Sequence, residues 1–107
     1  MTTRLALALL TIWTTAYANP IVTNLDKISY AGHLACHGAS EGQEVTAGLT
    51  KVFTEYVDGG NCFLEIYLPA RDPFGPDGGY DPKKRVSRAK VQRDSECVVQ
   101  RKKLLCD

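Results

Sequence analysis

The sequence has no apolar run long enough to cross a bilayer, which takes about 20 residues. Its longest run, residues 5–13, is about half that length and is interrupted by Thr11. No CxxC occurs, and His33 and His37 crowd a single cysteine, Cys36. Structural zinc sites want paired short spacings, so a metal centre is not expected. There is no glycine-rich phosphate loop, serines are few, and none stands in a GxSxG context. Nucleotide-loop chemistry and the serine-hydrolase elbow are therefore excluded, and no cofactor is expected. No histidine follows His37. No internal repeat or low-complexity tract divides the chain.

The start is the most informative stretch. Arg4 precedes the apolar run, and Ala16-Tyr17-Ala18 closes it. A charged start, a short apolar stretch and a small-x-small site form a secretory signal peptide, with cleavage expected after Ala18. Residues 19–107 then form one secreted domain of 89 residues that holds all four cysteines. The expected location is extracellular, with translocation into a host cell as a further step, and no stable membrane insertion.

Secretion leads through an oxidising route in which cysteines pair. Cys36, Cys62, Cys97 and Cys106 are an even set, so two disulfides are expected, and three connectivities are open. Net charge near zero hides an asymmetry. Residues 19–82 carry three basic against nine acidic groups, or −6, and residues 83–107 nine against three, or +6. The basic set is Lys83, Lys84, Arg85, Arg88, Lys90, Arg93, Arg101, Lys102 and Lys103. Such a segment marks a nucleic-acid or anionic-surface partner, or else neutralises the acidic half across the fold.

Residues 27–36 read as a strand, with Ile28, Tyr30, Leu34 and Cys36 on one face and Gly32 as a bulge or bend. Residues 21–25 would pair with it as a hairpin. Val45, Leu49, Val52, Phe53 and Tyr56 recur at i, i+4, i+7, i+8 and i+11, which predicts a helix. Ser40 with Gln43 forms a capping-box pattern, and Glu41 and Glu44 suit the first turn. Asp58-Gly59-Gly60 would end that helix. The competing reading makes residues 51–57 one arm of a hairpin turning at 58–61. Residues 62–68 alternate as a strand, with Cys62, Leu64, Ile66 and Leu68 on one side and Phe63, Glu65 and Tyr67 on the other. Residues 70–82 are rich in proline and glycine and read as a surface loop. Residues 84–92 and 97–105 read as two more strands joined by Arg93-Asp94-Ser95-Glu96. The predicted class is α+β: one helix packed on a small antiparallel sheet, with two disulfides.

One pair of residues suggests chemistry. Glu65 on a strand and Arg85 opening a later one could serve RNA cleavage by 2′-OH attack. The carboxylate would take the hydroxyl proton and the guanidinium would hold the phosphate, but an imidazole normally protonates the leaving oxygen. An ordinary cross-strand ion pair is the alternative.

Leu34-Ala35-Cys36-His37-Gly38, then Val45-Thr46-Ala47, Phe53, Phe63-Leu64-Glu65-Ile66-Tyr67-Leu68-Pro69, Lys84-Arg85-Val86 and the penultimate Cys106 resemble one family in their order. It is the secreted ribonuclease-like effectors of powdery mildews and related plant pathogens, which descend from fungal guanyl-specific ribonucleases. The resemblance implies a ribonuclease-like scaffold with Cys36 paired to Cys106 and Cys62 to Cys97. It implies Glu65 and Arg85 as remnants of the ribonuclease site. Leu34 stands where the family has an aromatic, and the family's histidine-bearing strand has no counterpart before residue 62. Arg101 and Lys102 stand where its second histidine would fall.

The expectation is thus a non-catalytic, monomeric effector that binds a host protein or host RNA and suppresses plant immunity, with residues 83–103 as the binding segment. Two alternatives stand beside it. One is an active secreted guanyl-type ribonuclease using Glu65 and Arg85. The other is a small β-sandwich effector or a secreted inhibitor, which requires residues 45–57 to be strand.

Overall fold

The computed structural model describes residues 19–68 and 81–107. The expected signal peptide and residues 70–80 of the expected loop lie outside them. The chain forms β1 (Ile21–Asn24), β2 (Tyr30–Cys36), β3 (Ala39–Val45), β4 (Thr50–Val52), β5 (Phe63–Tyr67), β6 (Arg85–Lys90), β7 (Glu96–Gln100) and β8 (Lys103–Cys106). A 3-10 turn, Pro82–Lys84, leads into β6, and its start is capped by the Asp81 side chain. The strands build two four-stranded sheets, in the orders β4-β1-β7-β8 and β3-β2-β5-β6. All pairings are antiparallel except β1 with β7.

The core lies between the sheets. Val22, Cys97, Val99 and Leu104 from the first meet Tyr30, Leu34, Leu64 and Ile66 from the second, with Phe53 and Val91 between strands. Asn24 is fully buried and joins the layers, its amide donating to the carbonyls of Ile28 and Val45. This pairing of side chain to backbone satisfies polar groups that burial would otherwise leave costly.

The predicted α+β class is corrected: no helix forms over residues 45–57. Val45 ends β3, the chain turns at Gly48 with φ of 77°, and β4 follows. Leu49 and Val52, two of the five periodic positions, are about half exposed, while Phe53 is fully buried. The residues read as helix caps do other work. Gln43 donates to the Val52 carbonyl, and Glu41 accepts from the Thr54 and Glu55 amides. They fasten the chain after β4 along the open edge of β3. Val45, Thr46, Thr50, Val52, Thr54 and Val57 make the segment β-branched, and sheet packing overrides its helical period.

Other boundaries shift as well. β1 does not form a hairpin with β2 but lies between β4 and β7. Gly32 is neither bulge nor bend. It pairs with Gln43 and Ile66, and a Cβ there would lie 2.5 Å from Val45 Cγ2 and 3.1 Å from Phe53 Cζ. The missing side chain makes room for the Phe53 ring. The expected strand over 97–105 is a hairpin, turning at Arg101 and Lys102 with φ of 54° and 63°. The Asp26 carboxylate holds this turn by accepting both of its amides, at 2.7 and 2.9 Å. Positive φ at two non-glycine residues is uncommon, so that external acceptor helps to explain it.

The pairing implied by the ribonuclease resemblance is also corrected. Cys36 bonds Cys62 and Cys97 bonds Cys106. Register explains both. Ala35 faces Phe63, so Cys36 and Cys62 meet across β2 and β5, and Cys97 faces Cys106 directly in the β7–β8 hairpin. Each sheet thus carries its own clip.

Candidate functional site

The outward side of the second sheet carries a cluster of which the sequence shows Glu65 and Arg85. Cross-strand register puts His33 on β2, Glu65 on β5 and Arg88 on β6 in one row. The row beside it holds Tyr67 and Arg85. Arg85 and Arg88 are three apart, which on a regular strand would put them on opposite faces. A register shift at Ile66/Tyr67 absorbs the odd residue and turns both guanidiniums toward Glu65.

Glu65 is the centre. Its side chain is 10 % exposed, and both carboxylate oxygens are engaged. Oε1 accepts from the Tyr67 hydroxyl at 2.9 Å and lies 3.0 Å from His33 Nδ1. An ionised carboxylate only accepts, so the imidazole donates there. Oε2 accepts from Arg85 Nη1 at 3.1 Å and has Arg88 Nε at 3.5 Å. The His33 hydrogen bond, ahead of those from Tyr67 and the nearby positive charge, holds the Glu65 carboxyl below its ordinary range against the opposing effect of burial. Burial, then the hydrogen bond to Glu65, pushes the Tyr67 phenol up to about 12. Arg88 also lies 3.8 Å over the Phe63 ring.

The sequence points to Glu65 and Arg85 but offers no histidine after His37 to go with them. His33 supplies the imidazole from an earlier strand. The alternation Ala31-His33-Ala35 on β2 was the available signal, since it sets a lone polar residue on the outward face of a strand.

The expected basic segment is divided by the fold. Arg93 is held by a bidentate pair with Asp58, both contacts at 2.9 Å, and by Asn19. Arg85 and Arg88 lean on Glu65, which still leaves two guanidiniums against one carboxylate. Lys83, Lys90, Arg101, Lys102 and Lys103 are exposed, and Lys84 is half-buried. β6 and β8 are the outer strands of their sheets and meet at one corner, where Leu104 N donates to Ser87 Oγ at 3.0 Å. Arg85, Arg88 and Lys90 therefore border the same corner as Lys103 and the Arg101-Lys102 turn.

All four cysteines are consumed in disulfides. Among the described residues no helix is long and apolar enough to cross a membrane. No protein family, curated protein or solved structure matches the chain.

Proposed function

We propose that the protein is a secreted, non-catalytic effector, a disulfide-clipped β-sandwich that binds host RNA through phosphate contacts and thereby suppresses plant immunity. The observation that carries this reading is the β6–β8 corner, which gathers basic residues from two strands and a turn that are separate in sequence. Phosphate binding rewards such clustering, because each neutralised phosphate releases condensed counterions. Two disulfides are compatible with an extracellular route. The two-sheet architecture favours the β-sandwich alternative over the ribonuclease-like scaffold.

Gel-shift titration with single-stranded RNA tests the proposal. Four phosphate contacts would weaken binding roughly 50-fold when salt rises from about 50 to about 200 mM. Charge reversal of Lys90 and Lys103 together should reduce affinity at least about tenfold at the lower salt, because it removes and inverts two contacts. Binding that ignores both salt and these substitutions overturns the reading.

A specific observation favours a second reading. His33, Glu65 and Arg85 stand within hydrogen-bond reach, as an active ribonuclease would require. Against it, both oxygens of Glu65 are occupied and its basicity is lowered, which is poor preparation for a general base. Purified protein that cleaves RNA, with the activity lost in Glu65→Gln, would establish this second reading in place of the first.

A further inference from the structure

The outward side of the first sheet is unlike that of the second. Ile21, Val52, Val98 and Leu105 lie on it, with Leu25 just beyond the end of β1. Leu25 and Leu105 are each 56 % exposed, and Val52 is 49 % exposed. Register arranges the face in rows. The middle row runs Thr50, Thr23, Val98, Leu105. One flanking row ends on Glu96, with Asp107 beside it through Asp107 N to Glu96 O. The other ends on Gln100 and Lys103, beside the Arg101-Lys102 turn. The face thus carries uncharged, largely apolar residues over β4, β1 and its middle row, with acidic residues at one end of β7–β8 and basic ones at the other.

We propose that this face pairs with the same face of a second copy, about a two-fold axis that lies in the interface and perpendicular to the strands. Such an axis reverses strand direction and sets each strand over its own equivalent, giving an isologous contact. Centred on the middle row, it places Val98 and Leu105 against their counterparts. It also sets the acidic end of β8, at Asp107, over Lys103 of the second copy. The pattern is self-complementary in this orientation. The perpendicular in-plane axis would instead reverse the strand order and set the Glu96 and Asp107 carboxylates over the apolar Ile21 and Val52 of the second copy. The acidic end also argues against a lipid surface as the occupant, since it would repel anionic headgroups. On the inner side the Cys97–Cys106 bond clips the β7–β8 hairpin, so little ordering is left to be done on association.

Four strands about 4.8 Å apart and three to five residues long present roughly 250 Å² before side chains are counted. That places the contact in the weak, transient class, with a dissociation constant on the order of 100 µM. Sedimentation equilibrium of the oxidised protein between about 10 µM and about 1 mM tests it. The expected result is a monomer–dimer equilibrium. Leu105→Asp, at an exposed position, should leave the circular dichroism unchanged and abolish the dimer. Lys103→Asp should weaken it about fivefold, as expected for losing one rim ion pair from each copy. Combining Lys103→Asp with Asp107→Lys should restore it. A monomer throughout the range, a dimer indifferent to Leu105→Asp, or a charge swap that fails to restore association each overturns the proposal.

Discussion

The two sheets treat their outward faces in opposite ways. The second hides charge: Glu65 is almost covered, and a histidine, a tyrosine and two arginines converge on it. The first shows apolar side chains and keeps its charges at the two ends. The difference teaches where specificity resides in a domain with a modest core. A converging charge network fixes register, because slipping β6 by one residue would carry Arg88 to the other face. A face of Val, Ile, Leu and Thr imposes no such demand.

Removing the clips should break the comparison most severely. In the chain-entropy account, losing Cys36–Cys62, 26 residues apart, costs about 3.5 kcal/mol. Losing Cys97–Cys106, nine apart, costs about 2.6 kcal/mol. Urea denaturation of the two paired Cys→Ser variants should therefore rank the second sheet's clip as the greater loss.

Glu65→Ala comes next. It leaves two guanidiniums without their carboxylate and strips Tyr67 of its acceptor. Breaking a fully buried pair costs about 3–5 kcal/mol, and the partial exposure of Arg85 and Arg88 lowers the expectation to about 2–3 kcal/mol. The urea midpoint would report it, and a change under about 0.5 kcal/mol would show the network to be ornamental to stability.

Gly32→Ala tests the contact between β2 and the chain after β4. Its Cβ would meet Val45 Cγ2 at 2.5 Å, so overpacking of about 1–3 kcal/mol is expected. A thermal melt equal to that of the parent would mean that Phe53 and Val45 move aside freely.

The pH profile sharpens the contrast further. Glu65 and Asp26 are both held below their ordinary values, the latter chiefly by the Tyr30 hydroxyl. A depressed folded value means that this stability is complete above the ordinary carboxylate range and is lost as pH falls through and below it. Tyr30 and Tyr67 are both pushed up to about 12. A raised folded value means that their contribution is complete below about 10 and is lost as pH climbs toward about 12. Urea midpoints against pH should fall at both extremes. Glu65→Gln should flatten the acid limb, and Tyr67→Phe the alkaline one.

The smallest effect belongs to the first sheet's outer face. Leu105→Asp should change monomer stability by less than about 0.5 kcal/mol, because the residue is already more than half exposed. A larger loss in dilute solution would mean that this face is held by contacts within the molecule.

Several parts of the fold were legible in single residues. The alternation of Cys62, Leu64 and Ile66 inward against Phe63 and Glu65 outward placed β5, and β2 and β6 lie inside the segments read as strands. The segment after β3 was misread because a helical period and a β-branched composition coexist there. Glu41 and Gln43 resemble helix caps until a second chain segment is present for them to bind. The site was half legible for a related reason. Glu65 and Arg85 announce themselves as strand residues of opposite charge, whereas His33, 32 positions before Glu65, becomes its neighbour only through the β2–β5 pairing.

By itself, the sequence determined local matters: an even set of cysteines, a basic final quarter, and strands whose apolar residues alternate. Those follow from composition and from the two-residue repeat of an extended chain, which short windows reveal. Only the tertiary structure decided which cysteines meet, which sheet each strand joins and which side chains surround Glu65. Those depend on pairings between residues distant along the chain, and such pairings are selected by burying one common core, which no short window contains.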